Sequence, residues 1–322
     1  MATTERVPPR RAGHAVATDA SRATLRHSPR SRLGLPESGR AVKSHPMKQP
    51  QGADSGLAFD PSSREIVLEV PRRIPFYLRD VPKRARMLWD MIGHVPPDSR
   101  DVLGGGLEMA RALHMDEREF SSTQEEIRHS GLERRIVTEL DRRVPSSVRI
   151  VRVAEPSGEW LEILRLLYSL VRITKPQNVV ETGVGPVGAT TTFILEAMRV
   201  NGAGHLWSID DNRFLPLHGI NVGNGIPEAL RDRHTLIVGR TRQWLEPLLR
   251  QCAPVDIFLH DGEHTFANMI YEYSTAWPLL GSAGILLTDD AGNDSIDVFS
   301  RPIHRTPLFV AYGTTHFGIL PK

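Results

Sequence analysis

Three aspartates and a histidine follow two short apolar runs in the second half of this 322-residue chain. The run VDIFLH is followed by Asp261 and, three residues later, by His264, whereas the run GILLT is followed by Asp289 and Asp290. Carboxylate oxygens in this number suit Mg²⁺, which keeps several waters and exchanges them for substrate oxygens. An imidazole titrates near neutral pH and can take a proton from a hydroxyl. We therefore predict a magnesium site of Asp261, Asp289 and Asp290, with His264 as the general base.

Each of these residues also has a simpler interpretation. Acids are common at the N-termini of helices, where Asp261 and Asp290 would only cap backbone amides. His264 would then be a surface residue ahead of Thr265, which is a natural N-cap for the apolar helix that follows. His260 is expected to be a packing neighbour.

A glycine-spaced segment, VVETGVGPVGATTTF (179–193), is the second candidate site. Gly183, Gly185 and Gly188 allow a tight turn between a strand and a helix, and the turn leaves the first amide groups of the helix exposed. Such a turn suits a dinucleotide pyrophosphate or another adenosine cofactor. Glu181 would repel pyrophosphate but would accept hydrogen bonds from a cationic amine, so it favours a cofactor that carries an amino acid.

The elements around these residues alternate between short β-branched runs and helical patterns. NVVET, HLWSID, HTLIVG, VDIFLHD and GILLTDD are predicted strands, and PLFVAYG and HFGILPK form a predicted C-terminal hairpin. EWLEILRLLYSLVRIT is a predicted core helix that Lys175-Pro176 ends. The predicted fold class is α/β, with a Rossmann-like doubly wound sheet that is mostly parallel, plus a mixed or helical N-terminal extension. Ligands bind such a sheet at the carboxyl ends of its strands, where all the candidate residues fall.

The stretch VVETGVGPVG followed by HLWSIDD resembles the class I S-adenosylmethionine-dependent methyltransferases. This resemblance implies that Gly183, Gly185 and Gly188 line the methionine part of the cofactor and that Glu181 acts near it. It further implies that Asp210 holds the ribose and that Thr241 lies near the adenine. Arg240 departs from the acid that is common at its position in the family.

The acids after the later strands are similar to those of the cation-dependent O-methyltransferases, both the catechol type and the sugar-modifying type. The resemblance implies that Asp261, Asp289 and Asp290 bind Mg²⁺. The sugar-modifying type has a histidine three residues after the first acid, as His264 is here. The stretch from Ile257 to Asp290 is also similar to the family-24 type of methyltransferase domain, and the resemblance covers about residues 159–322.

Composition limits the remaining choices. Hydrophobic residues make up 40% and charged residues 24%, which is ordinary for a soluble globular chain, and no apolar run of membrane-spanning length occurs. The single cysteine, Cys252, excludes a disulfide framework within the chain and fits a reducing compartment. We therefore expect a cytoplasmic protein without a membrane partner.

Three regions are predicted along the chain. Residues 1–53 carry ten Lys and Arg against three Asp and Glu and lack an apolar period, so they are expected to be a disordered basic tail. Residues 54–158 are expected to be an N-terminal extension, acting as a cap or as a homo-oligomer contact, and residues 159–322 a methyltransferase domain. A transit peptide or a nucleic-acid arm is the alternative for the tail. Nucleic acid is disfavoured as a partner by the mildly acidic body.

The predicted function is transfer of a methyl group from S-adenosylmethionine to a hydroxyl of a small molecule, a natural product or a sugar, assisted by Mg²⁺. Sugar, polyketide, phenol and peptide hydroxyls all remain open as acceptors. A metal-independent methyltransferase, a nicotinamide-dependent oxidoreductase and an inactive cofactor-binding scaffold are the alternatives.

Overall fold

A mixed β-sheet with helices on both faces organises the chain. The computed structural model describes residues 93–143, 158–211, 221–312 and 315–322. Within these residues, the strands are β1 (Val102–Leu103), β2 (Asn178–Thr182), β3 (His205–Asp210), β4 (His234–Val238), β5 (Val255–His260), β6 (Leu280–Thr288), β7 (Leu308–Tyr312) and β8 (Thr315–Pro321). They form one sheet in the order β1-β7-β8-β6-β5-β2-β3-β4.

The strand directions agree with the predicted fold class. β2, β3, β4, β5 and β6 run parallel to one another, whereas β8 pairs antiparallel with both β6 and β7. All seven strands predicted in the second half are present. The prediction of a Rossmann-like sheet with a C-terminal antiparallel hairpin is therefore confirmed, and β8 inserts between β6 and β7 instead of extending the edge.

Eight α-helices cover the sheet in the described residues. They are α1 (Gly106–Ala112), α2 (Glu117–His129), α3 (Leu132–Arg143), α4 (Gly158–Thr174), α5 (Ala189–Asn201), α6 (Thr241–Cys252), α7 (Phe266–Ala276) and α8 (Ser295–Ser300). Short 3-10 turns occupy Glu228–Arg233, Trp277–Leu279 and Arg301–Ile303. Among the described residues, no helix combines the length and the apolar character needed to cross a bilayer.

Alternate strand residues face two separate apolar cores, as the two-residue period of a strand requires. Val179 points into the core formed with α1, α2, α4 and α5, whereas Val180 points into the core formed with α6, α7 and α8. Because both faces are covered, the central strands consist of nearly continuous apolar runs. The polar side chains of the candidate site are therefore confined to the strand ends.

The described part of the N-terminal region shares the first of these cores. Gln124 of α2 donates to Ser169 Oγ of α4 (2.7 Å), and Glu126 accepts a hydrogen bond from Tyr168 (2.7 Å) and pairs with Arg172 (3.1 Å). The charged pattern from Asp116 to Arg143 predicts a single helix. The structure has two helices there, separated at Gly131, where φ is 68°. Within residues 54–158 the sequence also predicts a strand, REIVLEV, and an amphipathic helix, VPKRARMLWDMIGHV. The strand and nearly all of the helix lie outside the described residues. The boundaries at 53 and 158 stay predictions.

Candidate active site

The glycine turn after β2 is built around a close backbone approach. Gly183 has a φ of 87°, and a Cβ there would lie 1.9 Å from the carbonyl oxygen of Asp261, so no other residue fits. Gly188 has a φ of 61°, forms the N-cap of α5 and has Ile226 packed where its side chain would lie. Gly185 has a φ of 64° but faces open space. The turn therefore needs its first glycine for packing and its second for backbone conformation alone.

Glu181 is fully buried in front of this turn and is held by hydroxyl groups. Its Oε1 accepts a hydrogen bond from Thr190 (2.9 Å), and its Oε2 accepts hydrogen bonds from Thr191 (2.8 Å) and Ser208 (2.8 Å). Burial raises the pKa of Glu181 to about 7, against the opposing effect of the three hydroxyls. Near neutral pH the side chain is thus poised between its neutral and charged forms.

Asp210, at the end of β3, braces the same turn. Its Oδ2 accepts hydrogen bonds from the amides of Val184 (2.6 Å) and Gly185 (2.7 Å). The amide of Gly239 donates to the carbonyl of Asp210 (2.8 Å), which brings the end of β4 alongside. Thr241 then begins α6. The residues predicted to contact a cofactor are therefore brought to one edge of the sheet.

The acids after β5 and β6 form a second group beside the first. One ligand atom from each of Asp261, His264 and Asp289 lies within 4.8 Å of the others, so the three side chains are close enough to hold one metal ion. Asp290 is not a member of this group and has a φ of 47°. Asp289 accepts a hydrogen bond from the hydroxyl of Tyr312 in β7. The structure thus brings together two of the three predicted ligands and the predicted base.

Burial shifts the pKa of Asp261 and that of His264 in opposite directions. Burial, the charge of Asp289 and the charge of Glu181 raise the pKa of Asp261 well above its usual range. Burial and the neighbouring His260 lower the pKa of His264, although Asp289 and Asp290 act in the opposite direction. His264 is therefore neutral near pH 7, and its Nδ1 has no hydrogen-bond partner among the described residues. A neutral imidazole of this kind can accept a proton or bind a cation.

Thr190 connects the two groups. Its Oγ1 lies 2.9 Å from Glu181 Oε1 and 3.2 Å from Asp261 Oδ2. Sequence reasoning missed this link, because Thr190 lies in the first turn of α5, where a threonine is ordinary.

A buried histidine–glutamate pair behind the acids was also missed. His260 Nδ1 lies 2.6 Å from Glu272 Oε2, and Glu272 accepts further hydrogen bonds from Thr182 (2.5 Å) and Asn268 (2.9 Å). Burial acts to raise the pKa of Glu272, but His260, Thr182 and Asn268 together outweigh it and the pKa is lowered. The His260 ring meets the His264 ring edge to face, with centroids 5.2 Å apart. His260 is therefore more than a packing neighbour. The sequence signal that could have found the pair is a histidine at the end of a strand and a glutamate twelve residues later in the next helix.

A family comparison agrees with this geometry. Residues 180–291 match the model of a family described as a methyltransferase domain. This range spans the glycine turn and the acids that follow β5 and β6. The chain carries a methyltransferase domain. The predicted resemblance to class I S-adenosylmethionine-dependent methyltransferases of the family-24 type is confirmed by this match together with the strand order. No curated protein matches the chain.

Several solved structures are similar to this methyltransferase at low identity. The O-methyltransferase TomG from Streptomyces achromogenes, involved in tomaymycin synthesis and solved with S-adenosylmethionine, is 16% identical over 49% of this chain and 78% of its own, with a TM-score of 0.40. The O-methyltransferase from Bacillus cereus, solved with S-adenosylhomocysteine, is 16% identical over 62% and 91%, with a TM-score of 0.40. The Podospora anserina methyltransferase PaMTH1, also bound to S-adenosylhomocysteine, is 13% identical over 84% and 100%, with a TM-score of 0.40.

Proposed function

We propose that this methyltransferase transfers a methyl group from S-adenosylmethionine to a hydroxyl of a small molecule, a natural product or a sugar, with the assistance of Mg²⁺. The observation that supports the proposal best is the group of Asp261, His264 and Asp289 at the ends of β5 and β6, directly beside the glycine turn. A methyl donor in the turn and an acceptor hydroxyl at the acids would lie next to each other. Positioning of that kind provides much of the rate in group transfer.

The turn fits an amino-acid-bearing cofactor. Gly183 leaves no room for a side chain, Gly185 faces open space, and Gly188 begins α5 without a side-chain cap, so backbone amides are available to a carboxylate. Glu181 would act near the cofactor amine through the hydroxyls that surround it. Asp210 would hold the ribose with the carboxylate that also braces the turn, and Thr241 would lie near the adenine.

The acid group fits a hard divalent cation. Asp261 and Asp289 would supply carboxylate oxygens, and Asp290 would join them by a change in its side-chain position. Burial and the charges of Asp289 and Glu181 raise the pKa of Asp261, and a cation bound between Asp261 and Asp289 would oppose this shift. Mg²⁺ bound there would provide the charge that lowers the pKa of an acceptor hydroxyl.

His264 would take the proton of that hydroxyl. Its lowered pKa keeps the imidazole neutral, and its buried Nδ1 has no partner in the part of the chain that the structure describes, so the ring can accept a proton. The edge of the His260 ring limits the positions that the His264 ring can take. A ring nitrogen of His264 also lies within 4.8 Å of an oxygen of each of the two carboxylates. A role as a metal ligand is therefore the competing assignment for His264.

Binding measurements separate these parts of the proposal. Calorimetric titration with S-adenosylhomocysteine, run beside NAD, tests the cofactor, and Mn²⁺ titration followed by electron paramagnetic resonance tests the metal. We expect His264→Ala to retain Mn²⁺ and S-adenosylhomocysteine affinity if the histidine is a base. Loss of Mn²⁺ affinity in this variant would make it a ligand instead, and binding of NAD alone would overturn the cofactor assignment.

Transfer of the labelled methyl group to a panel of sugar, polyketide, phenol and peptide hydroxyls then tests the reaction. The assay is run with Mg²⁺ and with chelator. We expect transfer that chelator suppresses and that His264→Ala abolishes.

A metal-independent methyltransferase is the second candidate, because one observation favours it. Asp289 raises the pKa of Asp261, so a protonated Asp261 can donate a hydrogen bond to the Asp289 carboxylate and the two groups share one proton. A pair of this kind is stable without a cation. Transfer that is unaffected by chelator would support this candidate.

A further inference from the structure

A buried arginine in the N-terminal segment holds the loop that follows β6. Arg100 Nη1 donates to the carbonyl of Ala291 (2.6 Å), and its Nη2 donates to the carbonyl of Asn293 (2.6 Å) and to Asp297 Oδ2 (2.6 Å). Its guanidinium also lies 4.3 Å from the centre of the Phe309 ring. Only 3% of the Arg100 side chain is exposed. An arginine buried this completely with several partners fixes their geometry, because each partner would otherwise be left without a hydrogen bond.

A second residue of the segment reaches the same place. The ring of His94 stacks on that of Phe266, with centroids 3.5 Å apart and planes 7° apart. Its Nδ1 lies 3.1 Å from Asp294 Oδ1. The segment 93–103, which continues into β1, is therefore fastened both to the loop after β6 and to the start of α7.

The residues that Arg100 holds are connected to both sides of the acid group. Ala291 follows Asp290 directly, so the carbonyl that Arg100 binds belongs to the turn that carries Asp289 and Asp290. The side chain of Asn293 donates to the carbonyl of His264 (3.3 Å), which ties the loop to the other strand end. A single guanidinium thus fixes the spacing of Asp289 and His264 without touching either.

We propose that Arg100 is a positioning residue for the acid group: by holding Ala291 and Asn293 it sets the distance of Asp289 and Asp290 from His264, and so the affinity of the site for a divalent cation. This inference rests on the proposed function, because it assigns a role to the predicted metal site. This role would make the segment 93–103 part of the active site, although the match to the methyltransferase family begins at residue 180.

The test compares Arg100→Ala, Arg100→Lys and the wild-type chain. We expect Arg100→Ala to weaken Mn²⁺ binding about tenfold, as loss of a residue that supports metal ligands does. S-adenosylhomocysteine affinity should stay within about twofold, because the glycine turn does not contact Arg100. Arg100→Lys should fall between the two, since an ammonium keeps the charge but cannot bind three partners as a planar fork. Hydrogen exchange should quicken in peptides covering 289–298 and not in those covering 181–190.

Two controls separate positioning from general destabilisation. Arg111→Ala removes an arginine that also pairs with a carboxylate, Glu117 (2.8 Å), but on the surface of the same region. Leu167→Ala opens a cavity in the other apolar core, which contains no residue of 289–298, so it lowers stability without changing the core beneath the loop. Both should bind Mn²⁺ as the wild-type chain does.

The outcomes are distinguishable. Wild-type Mn²⁺ affinity and wild-type exchange in Arg100→Ala would overturn the inference. If the wild-type chain binds S-adenosylhomocysteine but no Mn²⁺, the metal part of the proposed function fails, and exchange in 289–298 alone decides the role of Arg100. If Arg100→Ala does not fold, Arg100→Lys and Asp297→Asn decide it by the same measurements.

Discussion

The two halves of the candidate site satisfy their polar groups in opposite ways. In front of the glycine turn, Glu181 and Asp210 together accept five hydrogen bonds, three from hydroxyls and two from backbone amides. At the ends of β5 and β6, the buried ring atoms His260 Nε2 and His264 Nδ1 have no partner among the described residues.

This difference indicates different tasks. A turn whose acids are already held is organised before any ligand arrives, so binding there costs little rearrangement. Buried polar atoms without partners are unfavourable unless a ligand supplies what they lack. We infer that the turn provides affinity, whereas the acid group becomes fully satisfied only with substrate and cation present. The following predictions test this contrast, beginning with the largest effect.

Gly183→Ala should destabilise the fold more than any other change proposed here. Its Cβ would lie 1.9 Å from the Asp261 carbonyl oxygen, and the φ of 87° adds backbone strain, so we expect the free energy of unfolding to fall by about 3–5 kcal/mol. Thermal denaturation measures this. Gly185→Ala is the matched control: it has a φ of 64° and open space, so the loss should be only about 1–2 kcal/mol. Equal losses in the two variants would contradict the close packing described for Gly183.

Glu181→Gln should change how stability depends on pH. Because burial raises the pKa of Glu181 to about 7, its contribution to stability is fully present below the unfolded pKa near 4.5 and is lost as pH rises toward 7. The loss amounts to about 3 kcal/mol at most. Urea denaturation of the wild-type chain and of Glu181→Gln between pH 4.5 and 8 gives the difference in unfolding free energy at each pH. As pH rises, this difference should change in favour of the glutamine variant.

The comparison at each pH is needed because the pKa of Asp261 is raised as well. A difference curve that is flat across this range would mean that Glu181 ionises normally in the folded chain.

Asp289→Asn should affect the other half selectively. Removing one carboxylate charge from the acid group should weaken Mn²⁺ binding by about a hundredfold, or about 2.7 kcal/mol. S-adenosylhomocysteine affinity, measured by calorimetry, should be nearly unchanged, because Asp289 does not contact the turn. A parallel loss of both affinities would show that the two halves do not act separately.

Ser208→Ala should produce the smallest effect. It removes one of three hydroxyl donors to Glu181, so we expect a loss of about 1 kcal/mol in unfolding free energy. The pKa of Glu181 should also rise further, since this hydrogen bond favours the charged form. Titration of the carboxyl group by infrared spectroscopy would detect the shift, and an unchanged pKa would mean that Thr190 and Thr191 alone hold the group.

Much of the fold followed from local sequence. The strands are short β-branched runs between helical patterns, and Lys175-Pro176 marks the end of α4 as expected. The break between α2 and α3 at Gly131 was not recognised, because the charged pattern continues across it. The position of β8 between β6 and β7 depends on pairing between distant strands, which periodicity does not report.

The sequence predicted the positions of site residues that lie at the ends of strands. The ends of β2, β3, β5 and β6 were expected to converge, since the carboxyl ends of parallel strands share an edge. Contacts between separate elements were not predictable: Thr190 bridges two acids, Glu272 pairs with His260, and Arg100 lies almost 200 residues from the loop that it holds. Asp290 stays a predicted ligand that lies outside the observed group.

The insertion of β8 has a consequence for synthesis of the chain. β6 carries Asp289 at its end, and its neighbour on one side is β8, whose register begins only at Gly318 opposite Thr288. A nascent chain that stops before Thr315 therefore exposes one edge of β6, and β7 and β1 have nothing to attach them to the sheet. We expect the acid group to assemble only after Pro321 has left the ribosomal exit tunnel. The acid group would then form after the glycine turn.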